Sequence, residues 1–194
     1  MHTEASGGGN GGSARSDGGQ ARRGARLAGG DARLANLLGA LALEASGALE
    51  RATRPVVGQA GAAAAALVTV AAHPGRTIEA LRAPLGLSQP GAVRLVERLA
   101  GAGWVERTGP GGRRGLALEL TAEGEAVLDE MLGARRAALA ELLGPLDAGE
   151  REQLTRLLEK LLAARSGGRR DLERLCRLCE WRICDHCPVA GAVR

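Results

Sequence analysis

Four cysteines in the last nineteen residues of the printed sequence are the side chains best suited to chemistry. Cys176 and Cys179 form one Cys-x-x-Cys pair, and Cys184 and Cys187 form a second pair four residues later. Each pair can bring two sulfurs to one metal ion, and four thiolates in a tetrahedral array suit Zn²⁺. The spacing therefore predicts a structural zinc site with these four ligands, in which His186 could replace one cysteine.

Two other interpretations of the cysteines stay open. The gap between the pairs is short, so a single metal site requires a tight reversal through residues 180–183. A thiol redox switch would use the nearby Arg174, Arg177 and Arg182, because positive charge lowers the pKa of a thiol. The third interpretation is inert cysteines, although four paired cysteines rarely arise by composition alone in a cytosolic protein.

Arginines in the middle of the chain form a second group of candidate functional residues. The whole chain of 194 residues has a formal net charge of +4. Residues 74–118 carry seven arginines against three acidic residues, whereas residues 119–165 carry six basic residues against ten acidic ones. A basic segment beside an acidic one indicates a nucleic-acid face on an ordinary scaffold.

The segment from Thr77 to Arg98 has the length and the glycine-containing turn of a helix-turn-helix. Ser88 is placed to cap its second helix, which has a broad apolar arc on one side. Gly91, Arg94 and Arg98 fall on the opposite arc. Such a helix fits a DNA major groove, where arginine pairs with guanine edges or phosphates. Taken alone, these arginines are equally consistent with a solvated helix face.

A β-hairpin is predicted between Trp104 and Leu120, because the apolar period becomes strand-like after Gly103. Its glycine-rich tip carries Arg113 and Arg114 and has no apolar residue to pack. Arginine at the tip of a hairpin suits insertion into a minor groove or contact with phosphates. The hairpin therefore favours the DNA-binding interpretation of the preceding helix.

Helical spacing extends on both sides of this segment. A first helix is predicted to end at Arg54-Pro55, and a second runs through the alanines to His73. After the hairpin, Thr121 is expected to cap a long helix, and a capping box of Asp147 and Glu150 begins the next. One face of the first helix is marked by Leu34, Leu37, Leu38, Leu41 and Leu49. The leucine stripes of residues 121–164 require a partner face, either in a second copy or on the first helix of this chain. The clearest of these stripes consists of Leu154, Leu157, Leu158, Leu161 and Leu162.

Several of these segments resemble the MarR family of winged helix-turn-helix regulators. They are residues 87–99 (LSQPGAVRLVERL), 103–107 (GWVER), the Arg113-Arg114 pair and 120–124 (LTAEG), and the resemblance covers roughly residues 34–164. It implies a mainly α fold with a small β-hairpin wing, in which a winged helix-turn-helix domain adjoins a helical dimerisation region. It also implies a homodimer whose N- and C-terminal helices form the interface.

The resemblance assigns roles to individual residues. Carried over by position, the DNA-binding residues are Ser88, Gln89, Gly91, Arg94 and Arg98 at the recognition helix, and Arg113 and Arg114 on the wing. Two departures stand out: Gly112 lies where the family commonly has an acidic residue that holds the wing arginine, and Pro84 is expected to shorten the helix before the turn.

The predicted organisation has three parts. Residues 1–30 are a Gly/Arg-rich segment expected to be disordered, because it has almost no large apolar residue. Residues 31–165 form the winged-helix domain, with the DNA-binding part at about 56–121 and dimerisation helices at about 31–53 and 122–165. Residues 166–194 form a cysteine-rich extension.

These observations predict a cytoplasmic transcriptional regulator. A repressor would act as a homodimer on a pseudo-palindromic operator and would be released or activated by a small-molecule ligand, a metal or an oxidant. The alternatives are a winged-helix module that binds protein without DNA, and a redox sensor switched by the cysteines. No enzyme is expected, since the three histidines lack the spacing of a catalytic triad. No membrane helix is expected either, because no apolar run reaches the roughly 18–20 residues that one requires.

Overall fold

The computed structural model of the chain describes residues 29–58, 61–109, 116–184 and 187–191. Its elements follow in this order: α1 (Gly29–Val57), α2 (Ala62–Ala72), β1 (Arg76–Thr77), α3 (Ile78–Leu85), α4 (Gln89–Gly101), β2 (Val105–Thr108), β3 (Ala117–Leu120), α5 (Ala122–Leu143), α6 (Ala148–Ala163), α7 (Arg169–Leu175), a 3₁₀ turn (Trp181–Ile183) and α8 (Pro188–Gly191). The predicted mainly α fold with a small antiparallel wing is confirmed.

Two compact units make up the chain, Met1–Leu38 and Gly39–Arg194. Most of the predicted tail, residues 1–28, lies outside the described residues. The described part of the first unit is helical and belongs to α1. Its leucines Leu34, Leu37 and Leu38 are all exposed to solvent. The predicted boundaries of the three sequence segments stay predictions.

The core of the second unit is built around α2, which is buried along most of its length. Ala63, Ala64, Ala65 and Ala66 are almost completely inaccessible, and so is Leu67. Alanine side chains let neighbouring elements approach the α2 backbone closely, so a core without Phe or Tyr can still pack densely. Around this helix lie aliphatic side chains of α3, α4, α5 and the sheet: Leu81, Leu85, Leu95, Val96, Leu99, Val105, Leu118, Leu128, Met131 and Leu132.

The helix-turn-helix forms where the sequence predicts it. Thr77 caps α3, since its Oγ1 accepts a hydrogen bond from the Ala80 amide at 3.4 Å. Gly86 ends the helix in a left-handed conformation with φ of 64°, which glycine adopts without steric cost. The expectation that Pro84 shortens this helix is wrong. Pro84 lies buried inside α3, which continues to Leu85.

The first helix also continues through a proline. Pro55 was expected to end α1, but the helix extends to Val57. Pro55 lies in the last turn of the helix and removes only one amide donor, so it destabilises α1 only slightly. A proline near the end of a helix is therefore a weak signal for the exact boundary.

Three short strands form an antiparallel sheet in the order β1-β3-β2. In the predicted hairpin, Val105 pairs with Leu120 and Thr108 pairs with Ala117. The two-residue strand β1 was not predicted, and it pairs Arg76 with Leu118 on the other side of β3. The sheet thus joins the segment before the helix-turn-helix to the hairpin after it.

The start of α5 is fastened to the end of the helix-turn-helix. Thr121 caps α5 as predicted, because its Oγ1 accepts a hydrogen bond from the Gly124 amide at 3.0 Å. The Thr121 amide donates to the carbonyl oxygen of Trp104 at 3.2 Å. A β-carbon on Gly124 would lie 1.9 Å from that same carbonyl oxygen, so this helix can pack here only with glycine.

The helix α6 begins at the predicted capping box and presents an exposed leucine stripe. The Asp147 side chain accepts from the Glu150 amide at 2.9 Å, and the Glu150 side chain accepts from the Asp147 amide at 2.9 Å. No residue of α6 is buried in the single chain. Leu157, Leu158 and Leu161 are exposed by 44–53%, so about half of their apolar surface is left uncovered within the described second unit.

No single helix among the described residues is both long and apolar enough to cross a membrane. One bent pair of helices, residues 30–57 with 62–72, together has the length and composition that a membrane span requires. Much of the apolar character of that pair comes from α2, whose residues 63–70 are buried in the core.

Candidate nucleic-acid interface and cysteine cavity

The second helix of the helix-turn-helix, α4, presents a polar face to solvent. Ser88 caps this helix, with its Oγ accepting from the Gly91 amide at 3.3 Å. Gln89, Arg94 and Arg98 are exposed, and Gly91 is half-buried. The predicted recognition-helix residues therefore lie at the N-terminus and along the outer side of one capped helix.

The opposite side of α4 is buried and fixes the direction of that polar face. Ala92, Leu95, Val96 and Leu99 are at most 5% exposed. Leu95, Val96 and Leu99 pack into the aliphatic core with α2 and α3, in agreement with the predicted apolar arc. Because the helix is anchored by these side chains, it cannot rotate its arginine side inward without exposing them.

The arginines on the outer side of α4 are available for an external partner. Neither Arg94 nor Arg98 forms an ion pair with another of the residues that the structure describes, although Glu97 is exposed on the same helix. A guanidinium carries five donors in a planar fork that matches a phosphate or the guanine edge. This face therefore suits recognition of a nucleic acid.

The predicted wing arginines cannot be placed. Arg113 and Arg114 lie outside the described residues, as does the neighbouring Gly112. The described strands do show where the connection begins and ends, since Thr108 and Ala117 are paired across β2 and β3. The role of Arg113 and Arg114 stays a prediction.

Three of the four cysteines meet in the C-terminal extension. The thiol of Cys176 interacts with the thiols of both Cys179 and Cys187, so the two Cys-x-x-Cys pairs contribute to one cluster. Cys184 is exposed. The alternative ligand His186 lies outside the described residues. Among the residues that are described, no three His, Cys, Asp or Glu side chains are already arranged around an ion position.

A tight reversal connects the two cysteine pairs. The Cys179 amide donates to the Cys176 carbonyl oxygen at 2.9 Å, which closes the first pair into a turn. The following 3₁₀ turn, Trp181–Ile183, includes a hydrogen bond from the Cys184 amide to the Trp181 carbonyl at 3.2 Å. The chain thus reverses direction within the few residues that a single four-cysteine site requires.

The electrostatic surroundings of Cys176 differ from those expected for a redox switch. Burial, together with the neighbouring Cys179 and Cys187 thiols, raises the pKa of Cys176 to about 12. The nearby arginines do not lower the pKa of this thiol: Arg174 pairs with Asp171 at 3.8 Å, and Arg182 pairs with Asp129 at 2.6 Å. Cys176 is thus protonated at neutral pH in the metal-free chain.

All four cysteines line one apolar cavity of about 600 Å³ between the extension and the winged helix. Its other walls come from α2, α3 and α6, through Val68, Ala72, Pro84 and Leu162. The sequence pattern predicted a cysteine cluster but gave no indication that it would share a cavity with the helix-turn-helix.

Ion pairs hold the extension against the winged helix. Arg76 of β1 donates to Glu173 of α7 at 2.9 Å, and both side chains are mostly buried, with 13% and 16% exposure. Arg136 of α5 donates to Glu180 at 2.8 Å. Arg76 and Glu173 are 97 residues apart in sequence, and no local pattern marks either of them as functional.

Comparison with known proteins places these features in context. Residues 58–115 match the sequence model of the MarR family. The transcriptional repressor MprA of Escherichia coli K12 is 34% identical over 101 residues, which are 50% of this chain and 57% of MprA. The chain therefore matches little more than half the length of this curated relative.

Solved structures resemble the chain over a larger part of their length. The MarR family protein Rv2887 of Mycobacterium tuberculosis, in complex with DNA, is 26% identical with a TM-score of 0.57, covering 66% of this chain and 96% of that one. Wild-type apo MarR from Escherichia coli is 26% identical with a TM-score of 0.56 and the same coverage. Both cover two thirds of the present chain.

Proposed function

We propose that the protein is a DNA-binding transcriptional regulator of the MarR family that acts as a homodimer, on the premise that residues 58–115 match the sequence model of that family. The observation that carries the proposal is the polar face of α4, on which Arg94 and Arg98 are exposed while the other side of the helix is buried. A cytoplasmic location follows from a chromosomal DNA target.

DNA recognition uses α4 in the major groove. Its N-terminal residues, Ser88, Gln89 and Gly91, approach the base edges or the backbone first, as in helix-turn-helix proteins generally. Arg94 reads guanine or phosphate in the groove, and Arg98 adds a second cationic contact. The likeness to a MarR family protein solved in complex with DNA supports DNA as the partner of this helix.

Wing contacts extend the interface to the adjacent groove. Arg113 and Arg114 lie between β2 and β3 in sequence, and arginine inserts readily into a narrow minor groove. These contacts mainly supply affinity that falls with increasing salt, because phosphate neutralisation releases bound counterions.

The exposed leucine stripe of α6 provides a surface for a second copy. Leu157, Leu158, Leu161 and Leu162 are 38–53% exposed in the single chain, and an apolar stripe on one helix is usually covered by a partner. A two-fold dimer presents two α4 helices to half-sites about one helical turn apart. The exposed leucines at the start of α1 add apolar surface of the same kind.

Repression follows by steric occlusion of a promoter. An effector, whether a small ligand, a metal or an oxidant, changes the spacing of the two recognition helices and thereby the affinity for the operator. The competing proposal, a winged-helix module that binds only protein, has no use for an outward arginine face on α4.

Selection of bound sequences from a random DNA library tests the proposal, with the full chain and with or without zinc and peroxide. We expect enrichment of a pseudo-palindrome whose half-sites are about one helical turn apart. Binding without any enriched sequence, or binding that is insensitive to salt, would overturn the proposal.

A further inference from the structure

We propose that the C-terminal extension is a zinc module, in which Cys176, Cys179 and Cys187 bind one Zn²⁺ and Cys184 completes its coordination. The bound ion stabilises the attachment of the extension to the helix-turn-helix. The zinc site itself is independent of the proposed DNA-binding function. Only its effect on DNA affinity rests on that function.

The geometry of the cluster carries the proposal. Cys176 contacts the thiols of Cys179 and Cys187, so sulfurs from both Cys-x-x-Cys pairs already meet. Cys184 lines the same cavity and directly follows the 3₁₀ turn at 181–183. No three of the described side chains are yet arranged around an ion position, so metal binding requires the cysteine side chains, including the exposed Cys184, to move together.

Hydrogen bonding at the cluster favours sulfur as an acceptor. The Ala190 amide donates to the Sγ of Cys187 at 3.4 Å. Hydrogen bonds to a ligand atom orient it toward a bound metal. Zn²⁺ prefers four thiolate ligands in a tetrahedral array and has no redox chemistry of its own. Each thiol that becomes a ligand releases its proton to solvent, so no oxidant or reductant is required.

Apart from its ion pairs with the winged helix, the extension has few internal features that stabilise its fold. Its helices α7 and α8 contain seven and four residues, and helices this short are not stable alone in water. Val189 is its one buried apolar residue among those described. Segments without a sufficient core commonly depend on a metal or a disulfide. A zinc ion coordinated by residues 176–187 would supply that constraint.

Contacts of the extension would transmit the state of the site to the winged helix. Glu173 of α7 pairs with Arg76 of β1 in a mostly buried contact, and the adjoining cavity is walled by Pro84 of α3. Since α3 packs directly against α4, loss of the extension removes support from the helix that positions Arg94.

Zinc content of the full chain, purified without chelator, tests the site directly. We expect about one zinc per chain, and a zinc affinity, measured by competition with a chelator, that is lower by about tenfold or more in Cys176→Ser and in Cys187→Ser, since loss of one thiolate removes a quarter of the ligand set. The matched control is Ile183→Ser, which changes an exposed residue between the cysteine pairs and should keep the metal.

A second measurement does not depend on the folding of the variants. Metal-free wild-type chain is titrated with Co²⁺, where thiolate coordination gives a characteristic charge-transfer absorption, and its melting temperature is measured with and without Zn²⁺. We expect tetrahedral thiolate spectra and a higher melting temperature with zinc. Absence of zinc and of a thiolate spectrum in the wild type, or unchanged zinc in the serine variants, would overturn the proposal.

Zinc binding and DNA binding are measured separately, so failure of the zinc module can be distinguished from failure of the proposed function. A chain that binds zinc stoichiometrically but binds no DNA supports the zinc module and contradicts the DNA-binding proposal. If the zinc-bound and the zinc-free chain bind the operator with equal affinity, the proposed effect of zinc on DNA binding is contradicted. If a zinc-free wild-type chain forms disulfides within the two cysteine pairs, the zinc module is contradicted and a redox switch is indicated instead.

Discussion

The carbonyl oxygen of Trp104 occupies the space beside Gly124 where a β-carbon would stand, 1.9 Å from the position of that atom. The same carbonyl accepts a hydrogen bond from the Thr121 amide. The segment that follows the helix-turn-helix and the start of α5 are therefore held together by backbone atoms, and a shift of either would break the hydrogen bond between Thr121 and Trp104.

Substitution of Gly124 by alanine should destabilise the chain. The added methyl group meets backbone rather than a flexible side chain, so we expect the free energy of unfolding to fall by about 1–3 kcal/mol. Chemical denaturation measures the change. Gly133→Ala is the matched control in the same helix, since a β-carbon there meets nothing within 4 Å, and it should stabilise by about 0.5–1 kcal/mol. Equal effects of the two substitutions would contradict the close contact.

Removal of Arg94 should weaken and broaden DNA recognition. Because its guanidinium is proposed to contact base edges, Arg94→Ala is expected to cost about 1–3 kcal/mol of operator binding and to relax base preference at one position. Fluorescence anisotropy with matched and mutated operators measures both effects. Arg156→Ala, at an exposed arginine on the side of α6 opposite the leucine stripe, is the control and should bind as the wild type does; identical behaviour of both variants would argue against α4 as the reader.

The wing arginines should contribute affinity without much base preference. In the double variant Arg113→Ala/Arg114→Ala, loss of two phosphate contacts in each copy of the dimer should reduce the slope of log affinity against log salt by about four. Binding is measured over a series of salt concentrations on specific and non-specific DNA. A loss confined to one operator sequence, with an unchanged slope, would assign these residues to base readout instead.

A charge in the leucine stripe of α6 should prevent dimerisation. Leu158→Glu places a carboxylate in the proposed interface twice, once from each copy, and burial of an unpaired charge is costly. Sedimentation equilibrium is expected to show at least about tenfold weaker association, equivalent to 1.4 kcal/mol. Lys160→Glu introduces the same side chain on another face of α6 and should leave a dimer. Unchanged association of Leu158→Glu would locate the interface elsewhere.

The buried pair of Arg76 and Glu173 should couple the extension to the sheet. A double-mutant cycle with alanine at both positions is expected to give a coupling energy of about 1–3 kcal/mol, since both side chains are mostly removed from water. The pair of Arg82 and Glu79 on α3 is more exposed and should give only about 0.3–0.5 kcal/mol. Denaturant unfolding supplies both values; a coupling as small as that of the exposed pair would mean that the extension is held by other contacts.

Local sequence signals predicted the helix starts because their physics is local. Thr77, Ser88, Thr121 and Asp147 each cap a helix through a side-chain oxygen and an amide three residues later. A polar cap followed by an apolar period is visible in a short window. These four helix starts, and the buried side of α4, could therefore be predicted without a structure.

Long-range contacts could not be predicted in the same way. Strand β1 has only two residues and exists because Arg76 pairs with Leu118, forty-two positions later in the sequence. Pro84 looks like a helix end locally, yet α3 continues past it to Leu85 and the Gly86 turn. The cavity around the cysteines depends on α2 and α3 as much as on the extension, so cysteine spacing indicated the ligands but not their surroundings.

The placement of the two tryptophans provides each region with its own optical reporter. The chain has no tyrosine, so its ultraviolet emission comes from Trp104 next to the wing and from Trp181 between the cysteine pairs. The guanidinium carbon of Arg182 lies 5.1 Å from the centroid of the Trp181 ring. Trp181 also lines the cysteine cavity. A variant that keeps Trp181 alone would therefore report changes around the thiols by fluorescence, without a label, while Trp104 alone would follow the wing.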